Sequence, residues 1–479
     1  RNSSHIKLLY LEKINDPDRL LKHSASLINK GCRIAAIKSG TTSSGSRAAS
    51  SHTGAIASSD LAVEALFRKA GIIRCFSREE LANVGAVLSL KELRGRNLAI
   101  ISQAGGPAVI LTDALSKGQI DVPEMDKSLS MKLKEQLLPG AAVSNPIDII
   151  GTGTGEHMGL VIDFCEKYFK EIDGIAVIYG NPGVTNVAKA YEILDEKIKT
   201  CKLPIYPILP SVIAAAAEMD EFVEKGHVNF TDEYALANAL SKVVTRTPPS
   251  VGKIEDIGVD IPRIRTIIDN APNGYADGDT MNQLFDAAGI PRVKEIITNN
   301  RDEAINFASK IGYPVVAKCV GPLHKSDVGG VVINIQSDEH LAFEFDRLMK
   351  IPDARCVMIQ AMLSGQELFI GATYEPKFGH IILCGLGGIF VEILKDVASG
   401  LSPLSFEEAR SMVRSLRSYK IIQGARGQKG LNEDLYIEII VRLSTMLRFA
   451  TEIKEIDINP LIANDRDVIA VDARIRIEK

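Results

Sequence analysis

Two hydrophobic periods run along this chain. In the first half, short apolar runs at 6–12 (IKLLYLE), 32–38 (CRIAAIK), 97–103 (NLAIISQ), 174–180 (GIAVIYG) and 203–209 (LPIYPIL) read as buried strands. Between them, the segments 60–70, 107–118 and 186–200 carry apolar residues at helical spacing. This alternation predicts parallel sheets with helices on both faces. The polar stretch LKELRGRN (90–97) reads as a connector between two such units, and TRTPPSVGKIEDIG (245–258) as a second boundary. Beyond it the pattern changes. Strand-like runs at 312–320, 329–336, 356–363, 367–375 and 380–388 follow one another closely, with helices grouped around them, which predicts an α+β arrangement.

A length of 479 residues fits about three domains of ordinary size. With 56 Lys and Arg against 60 Asp and Glu, the formal charge of −4 gives no basic excess, so nucleic acid is a poor default partner. The apolar runs are too short and interrupted to cross a membrane. Seven scattered cysteines without a CxxC pair argue for a reducing compartment and against disulfides or a thiolate metal site. The chain opens at Arg1 inside a strand-like run, with no signal or transit pattern, and so reads as part of a longer polypeptide.

Residues 39–59 are almost entirely Ser, Thr, Gly and Ala; the exceptions are Arg47, His52 and Ile56. Nothing bulky pins such a segment into a core, and its composition favours turns. His52 is either an exposed histidine on a linker or a nucleophile that a mobile loop carries between two places. At 103–115 (QAGGPAVILTDAL) a strand ends, Gly105 and Gly106 follow, and a helix is expected to begin at Pro107. Backbone amides at such a helix start can hold a phosphate; a plain tight turn is the alternative.

In the last block, Lys318 lies inside the apolar strand YPVVAKCV and needs a partner there, such as a nucleotide phosphate, unless its stem reaches water. In PLHKSDVGGVVI (322–333), Gly329 and Gly330 form a turn able to close on phosphates, beside His324 and Lys325. In KEIDINPLI (454–462), strand alternation puts Glu455, Asp457 and Asn459 on one face, and Asp472 falls on the following strand-like run. Such hard oxygen donors, with ATP phosphates, suit magnesium.

Taken in order, SHTGAIASSD, SQAGGPAVILTD, NPIDIIG, AAGIP with IGYPVVAK, HKSDVGGVV, GLGGIFVEILKD, GARG and EIDINPL with VDARI resemble the NDP-forming acyl-CoA synthetases (the ADP-forming acetate–CoA ligases), relatives of succinyl-CoA synthetase. The resemblance covers nearly the whole chain. It implies an α/β chain of two flavodoxin-like CoA-ligase subdomains, 1–94 with the phosphohistidine loop and 95–247, then a linker at 248–257 and an α+β ATP-grasp domain at 258–479. The family's CoA-binding domain is not in this sequence, so it is expected on another chain or in a longer polypeptide.

The implied reaction interconverts carboxylic acid, CoA and ATP with acyl-CoA, ADP and phosphate, through acyl phosphate and phosphohistidine. The catalytic residues implied are His52, Glu12 as its support and His324 as a second phosphoryl carrier, with Gly105 and Gly106 as the phosphate cradle. The resemblance assigns nucleotide binding to Lys318, Gly329, Gly330, the hinge Gln360, Ala361 and Met362, Glu367 and Arg426, and Mg2+ binding to Asn459 and Asp472. It further implies small-molecule substrates, a cytoplasmic homo-oligomer, and no nucleic acid or membrane partner. The alternatives are a non-catalytic acyl-CoA-sensing regulator, a degenerate synthetase module of a protein acetyltransferase, and another ATP-grasp ligase. The last would leave SHTGAIASSD unexplained.

Overall fold

The computed structural model describes residues 4–40, 59–180, 187–210, 213–250, 257–321, 329–388, 396–424 and 429–479. The chain divides into two compact units, Arg1–Val63 with Phe67–Val251, and Glu64–Leu66 with Gly252–Lys479.

The first unit holds two parallel sheets. β1 (Ile6–Leu11), β2 (Arg33–Lys38) and β3 (Ile73–Cys75) lie in that order. β4 (Leu98–Ser102), β5 (Ile147–Asp148), β6 (Gly174–Ile178) and β7 (Ile205–Ile208) are ordered β5-β4-β6-β7. β4 and β6 are buried along their whole length, as expected for parallel strands covered on both faces. β1 was expected to be buried too, but Leu8 and Tyr10 are 44% and 57% exposed. The reason is position: β1 is an edge strand with β2 as its one neighbour.

Ala35, Ile37 and Ile73 of the first sheet share a core with Ile100, Ile178 and Ile208 of the second, so the connector at 90–97 separates sheets within one unit. Within each sheet, parallel pairing puts all the carboxyl ends on one edge, where ligands of such sheets bind.

The second unit is antiparallel. β8 (Gly274–Tyr275) belongs to its larger sheet. β9 (Glu295–Thr298), β10 (Val315–Val320), β11 (Val331–Ile335) and β12 (Cys356–Ala361) form a small sheet ordered β11-β10-β12-β9. β13 (Gln366–Glu375), β14 (Gly379–Leu386), β15 (Val397–Leu401), β16 (Ile453–Ala463), β17 (Val468–Ala470) and β18 (Ala473–Ile477) build the larger one. Its order is β15-β14-β13-β16-β18-β8, with β17 also paired to β16.

The helix Glu433–Phe449 packs on the larger sheet and inserts the fully buried Tyr436. The Tyr436 hydroxyl accepts from Gly385 N (3.2 Å) and donates to Phe369 O (2.8 Å), with Gly385 O at 3.1 Å as a second acceptor. Tyr436→Phe keeps the ring and removes these bonds. It is expected to cost about 1–3 kcal/mol, read as a lower midpoint in denaturant unfolding. An unchanged midpoint would show that the hydroxyl contributes nothing.

Among the described residues, no helix is long and apolar enough to cross a membrane. All seven cysteines are free.

Candidate active site

In the first unit, β1 and β2 run side by side and end together: Ser39 N donates to Leu11 O (3.0 Å). Glu12 follows at this edge and is exposed. His52 lies outside the described residues, but both flanks of its segment are described. On one side the Lys38 amine, at the buried end of β2, donates to Ser39 O. On the other, the helix Asp60–Ala70 begins, and Arg74 of β3 pairs with the Asp60 carboxylate. Burial lowers the Lys38 pKa, Asp60 opposes that shift, and Arg74 adds to it. Lys38, Asp60 and Arg74 were not among the expected site residues. The signal was present: a lysine closing an apolar strand just before the small-residue segment.

Gly105 and Gly106 are exposed at the same kind of edge, beyond β4. The helix was expected to start at Pro107 but spans Gly105–Lys117, so both glycines supply first-turn amides rather than a preceding loop. Several helices of this unit carry a side-chain cap, such as Asp16 to Arg19 N and Ser77 to Glu80 N. This one is capped by Ala104, whose side chain offers no acceptor, so its first amides are left to solvent or ligand. A Cβ on Gly106 would meet nothing within 4 Å, and one on Gly105 only Asp148 Oδ2 at 3.7 Å, so the approach is open. Asp148 Oδ1 is engaged by Ile150 N (2.8 Å). Buried Gln103 ties this edge together, donating to Gly153 O (2.8 Å) and accepting from Gly180 N (3.2 Å).

In the second unit, β10 was expected to be a buried strand, but its burial alternates along its length. Val315, Ala317 and Cys319 pack with Val357, Ile359 and helical residues such as Ala304 and Leu341, while the even positions face the other way. That second face carries Lys318 beside Met358, and Gln360 beside Glu295, as the strand registers require. Gln360, almost fully buried, donates from Nε2 to Glu295 Oε2 (2.6 Å) and to Val471 O (3.2 Å). Both of these partners are acceptors, so the amide orientation is determined and Oε1 is left without a partner. Ala361 and Met362 continue from Gln360 towards β13, linking the small sheet to the larger one, and Met362 N donates to Pro314 O (3.1 Å).

Asp472 was expected within a strand but falls in the two-residue break between β17 and β18. The break is matched on β16, whose pairing with β13 slips between Ile458 and Leu461. The two interruptions face each other: Asn459 N donates to Asp472 O (3.1 Å), and Val471 N to Pro460 O (3.1 Å). Asp472 Oδ2 lies 3.8 Å from Lys318 Nζ, so a residue of the small sheet meets one attached to the larger. Asp457, two residues before Asn459, has its pKa raised by burial; Arg474 opposes the shift, and Glu455 and Asp472 add to it.

Asn459 Oδ1 accepts from Gly388 N (3.1 Å). Gly388 has φ 62°, and a Cβ there would run into the Glu367 carboxylate. Glu367, expected near the hinge, therefore shares Gly388 with Asn459, on the side of the expected metal ligands. Gly329, at φ 65°, is held by Arg347, whose Nη1 and Nη2 both donate to its carbonyl (3.2 Å), and Gly330 O accepts from Cys319 N (2.8 Å). Arg347, Glu295 and Gly388 were not anticipated as site residues. His324, Lys325 and Arg426 lie outside the described residues.

Among the described residues, no three or more His, Cys, Asp or Glu side chains gather as a metal site. Asn459 and Asp472, whose backbones are hydrogen-bonded, nonetheless each carry a hard oxygen donor, and Asn459 Oδ1 keeps a lone pair beyond its bond to Gly388. Such a pair fits Mg2+, which is usually held by one or two protein oxygens together with waters and phosphates.

Residues 1–88 match the family described as succinyl-CoA ligase like flavodoxin domain, and residues 269–477 the family described as ATP-grasp domain. The chain is 32% identical over 483 residues to a 4-hydroxybutyrate–CoA ligase (ADP-forming) of Nitrosopumilus maritimus, a match covering 97% of this chain and 69% of that protein. It is 31% identical over 494 residues to acetate–CoA ligase (ADP-forming) I of Archaeoglobus fulgidus, covering 99% and 70% respectively. A shorter match, 45% identical over 203 residues, covers 40% of this chain and 88% of the beta subunit of acetate–CoA ligase (ADP-forming) I of Pyrococcus furiosus.

Proposed function

Because the chain belongs to the family of ADP-forming CoA ligases, we propose that it interconverts a carboxylic acid, CoA and ATP with acyl-CoA, ADP and phosphate. In the ATP-forming direction, orthophosphate attacks the thioester carbonyl, CoA thiolate leaves, and an acyl phosphate forms. A ring nitrogen of His52 then attacks phosphorus and the carboxylate leaves. The phosphoryl group passes to His324 and from there to the terminal phosphate of ADP. Glu12 supports the His52 ring, and the amides of Gly105 and Gly106 hold the phosphoryl oxygens.

Lys318, Gly329, Gly330 and Arg426 bind the nucleotide phosphates. Gln360, Ala361 and Met362 receive the base, whose amino group would satisfy the orphaned Gln360 Oε1. Asn459 and Asp472, with Glu367 alongside, would hold magnesium, which neutralises phosphate charge when bound. The division of labour follows the segments 1–94, 95–247 and 258–479. CoA binding draws on a further domain, on another chain or in a longer polypeptide; the separate beta subunit of the Pyrococcus furiosus relative supports the first arrangement. Use of ATP and CoA, with seven free thiols, favours the cytoplasm.

The observation that supports this reading most is the meeting of Lys318 with Asp472, which Asn459 adjoins, across the two sheets of the second unit. The test is incubation of the purified chain with γ-labelled ATP and magnesium, a half-reaction that needs no CoA. Acid-labile, alkali-stable label on the protein is expected. A folded chain that binds ATP yet takes no label would overturn the reading in favour of the non-catalytic regulator.

A further inference from the structure

A cavity lies in the first unit, at the opposite edge of the sheets from Gly105 and Gly106. It sits at the amino ends of β2, β4 and β7, where Arg33, Arg96 and Tyr206 line it. β2 runs from Arg33 in this cavity to Lys38 beside the His52 segment, so five residue steps, about 17 Å, separate the two places. The cavity measures about 570 Å3, within the ordinary range for small-ligand sites.

Its charge is one-sided. Five cations line it, Arg33, Lys91, Arg94, Arg96 and Arg246, against one carboxylate, Glu92, an excess of 5 − 1 = 4 in a chain whose formal charge is −4. Glu92 is already shared, 3.6 Å from Arg33 and 3.1 Å from Arg246. Backbone carbonyls hold two of the cations in place: Arg33 donates to Leu88 O (2.9 Å), and Lys91 to Ile198 O (3.2 Å) and Cys201 O. Among the described residues, the Arg96 guanidinium reaches only Gln119 Oε1, at 3.4 Å. Arg94 makes no hydrogen bond or ion pair among the described residues.

The loop carrying Arg94 and Arg96 is pinned. A Cβ on Gly95 would collide with the Asp173 carboxylate, which accepts from Asn97 N (2.9 Å). The walls beneath the cations are apolar: Val87, Leu93, Tyr206, Leu240 and Val243. A concave site with one sign of charge focuses its field on a counter-ion.

We propose that this cavity binds a small organic anion with an apolar or aromatic body, its head group held by Arg94 and Arg96 and its body laid against the half-buried Leu93 and Val243. The head group is a carboxylate or a phosphate monoester. The site is independent of the phosphoryl-transfer residues.

The chain contains no tryptophan, so Asn29→Trp, an exposed position on the cavity wall, introduces a unique fluorophore. The probe is 8-anilinonaphthalene-1-sulfonate, titrated with saturating Mg-ATP so that the nucleotide site is occupied. The expected result is saturable one-to-one binding with energy transfer from the introduced indole to the probe. Adding Arg94→Glu should weaken binding by about tenfold or more without moving the thermal midpoint. Benzoate and phenyl phosphate then serve as competitors. Displacement by benzoate alone assigns a carboxylate head, and displacement by phenyl phosphate alone a phosphate head. Absence of energy transfer, an affinity held within about twofold in the Arg94→Glu variant, or failure of both competitors would each overturn the proposal.

Discussion

His52→Ala is expected to abolish phosphorylation of the chain by a labelled acyl phosphate, acetyl phosphate being the first choice. It should slow the complete reaction by at least about 10^4-fold, equivalent to about 5.5 kcal/mol of transition-state stabilisation. The size follows from chemistry. A covalent carrier cannot be replaced by the Ser and Thr hydroxyls around it in the sequence, which are weak nucleophiles without a base, whereas an imidazole is largely neutral and nucleophilic near pH 7. The two histidines are separable by the end from which label enters. With γ-labelled ATP, His52→Ala should still accept phosphate on His324, whereas His324→Ala should lose that label and keep the one from acyl phosphate. The double variant should take neither. Label from acyl phosphate persisting in His52→Ala would remove His52 from the pathway.

The second large effect is expected at Lys318. Lys318→Met keeps the length and apolar stem of the side chain but deletes the charge that faces the expected phosphates. Labelling from γ-labelled ATP should fall by about 10^2–10^3-fold, the usual consequence of losing one positioned donor to a transferring group. Labelling from acyl phosphate, which requires only the first unit, should be unchanged. Stability should change by less than about 1 kcal/mol, because Asp472, the partner left behind, is 54% exposed and remains hydrated. A Lys318→Met chain that takes label from ATP at the wild-type rate would leave the Lys318–Asp472 pair as a simple link between the two sheets.

Much of this architecture is legible from the apolar pattern. The runs at 98–102, 174–178 and 205–208 became β4, β6 and β7, and the helical spacing at 60–70 matches the helix Asp60–Ala70. The errors have local physical causes. β1 looked buried because its composition resembles that of β2, but composition does not reveal that a strand has a neighbour on one side only. The helix at 105 was placed two residues late because Gly-Gly reads as a turn and Pro as a first helical residue, and both glycines in fact entered the helix.

The candidate residues themselves are legible in the sequence. It contains the small-residue segment around His52, the uncapped helix start, the lysine in the middle of β10, and the alternating Glu455, Asp457 and Asn459. These depend on neighbours within a few positions, and period-two or helical spacing is enough to predict which face they share. Tertiary structure decided which distant residues meet. Lys318 and Asp472, 154 positions apart, come within 3.8 Å because the slip in β16 and the break between β17 and β18 coincide, turning Asp472 out of the ladder towards the open face of the small sheet. Gln360 is left with an unpartnered oxygen only because Glu295 and the Val471 carbonyl both present acceptors to it. Strand register, loop closure and the crowding of like charges are properties of pairs distant in sequence, and hydrophobic spacing along the chain carries no record of them.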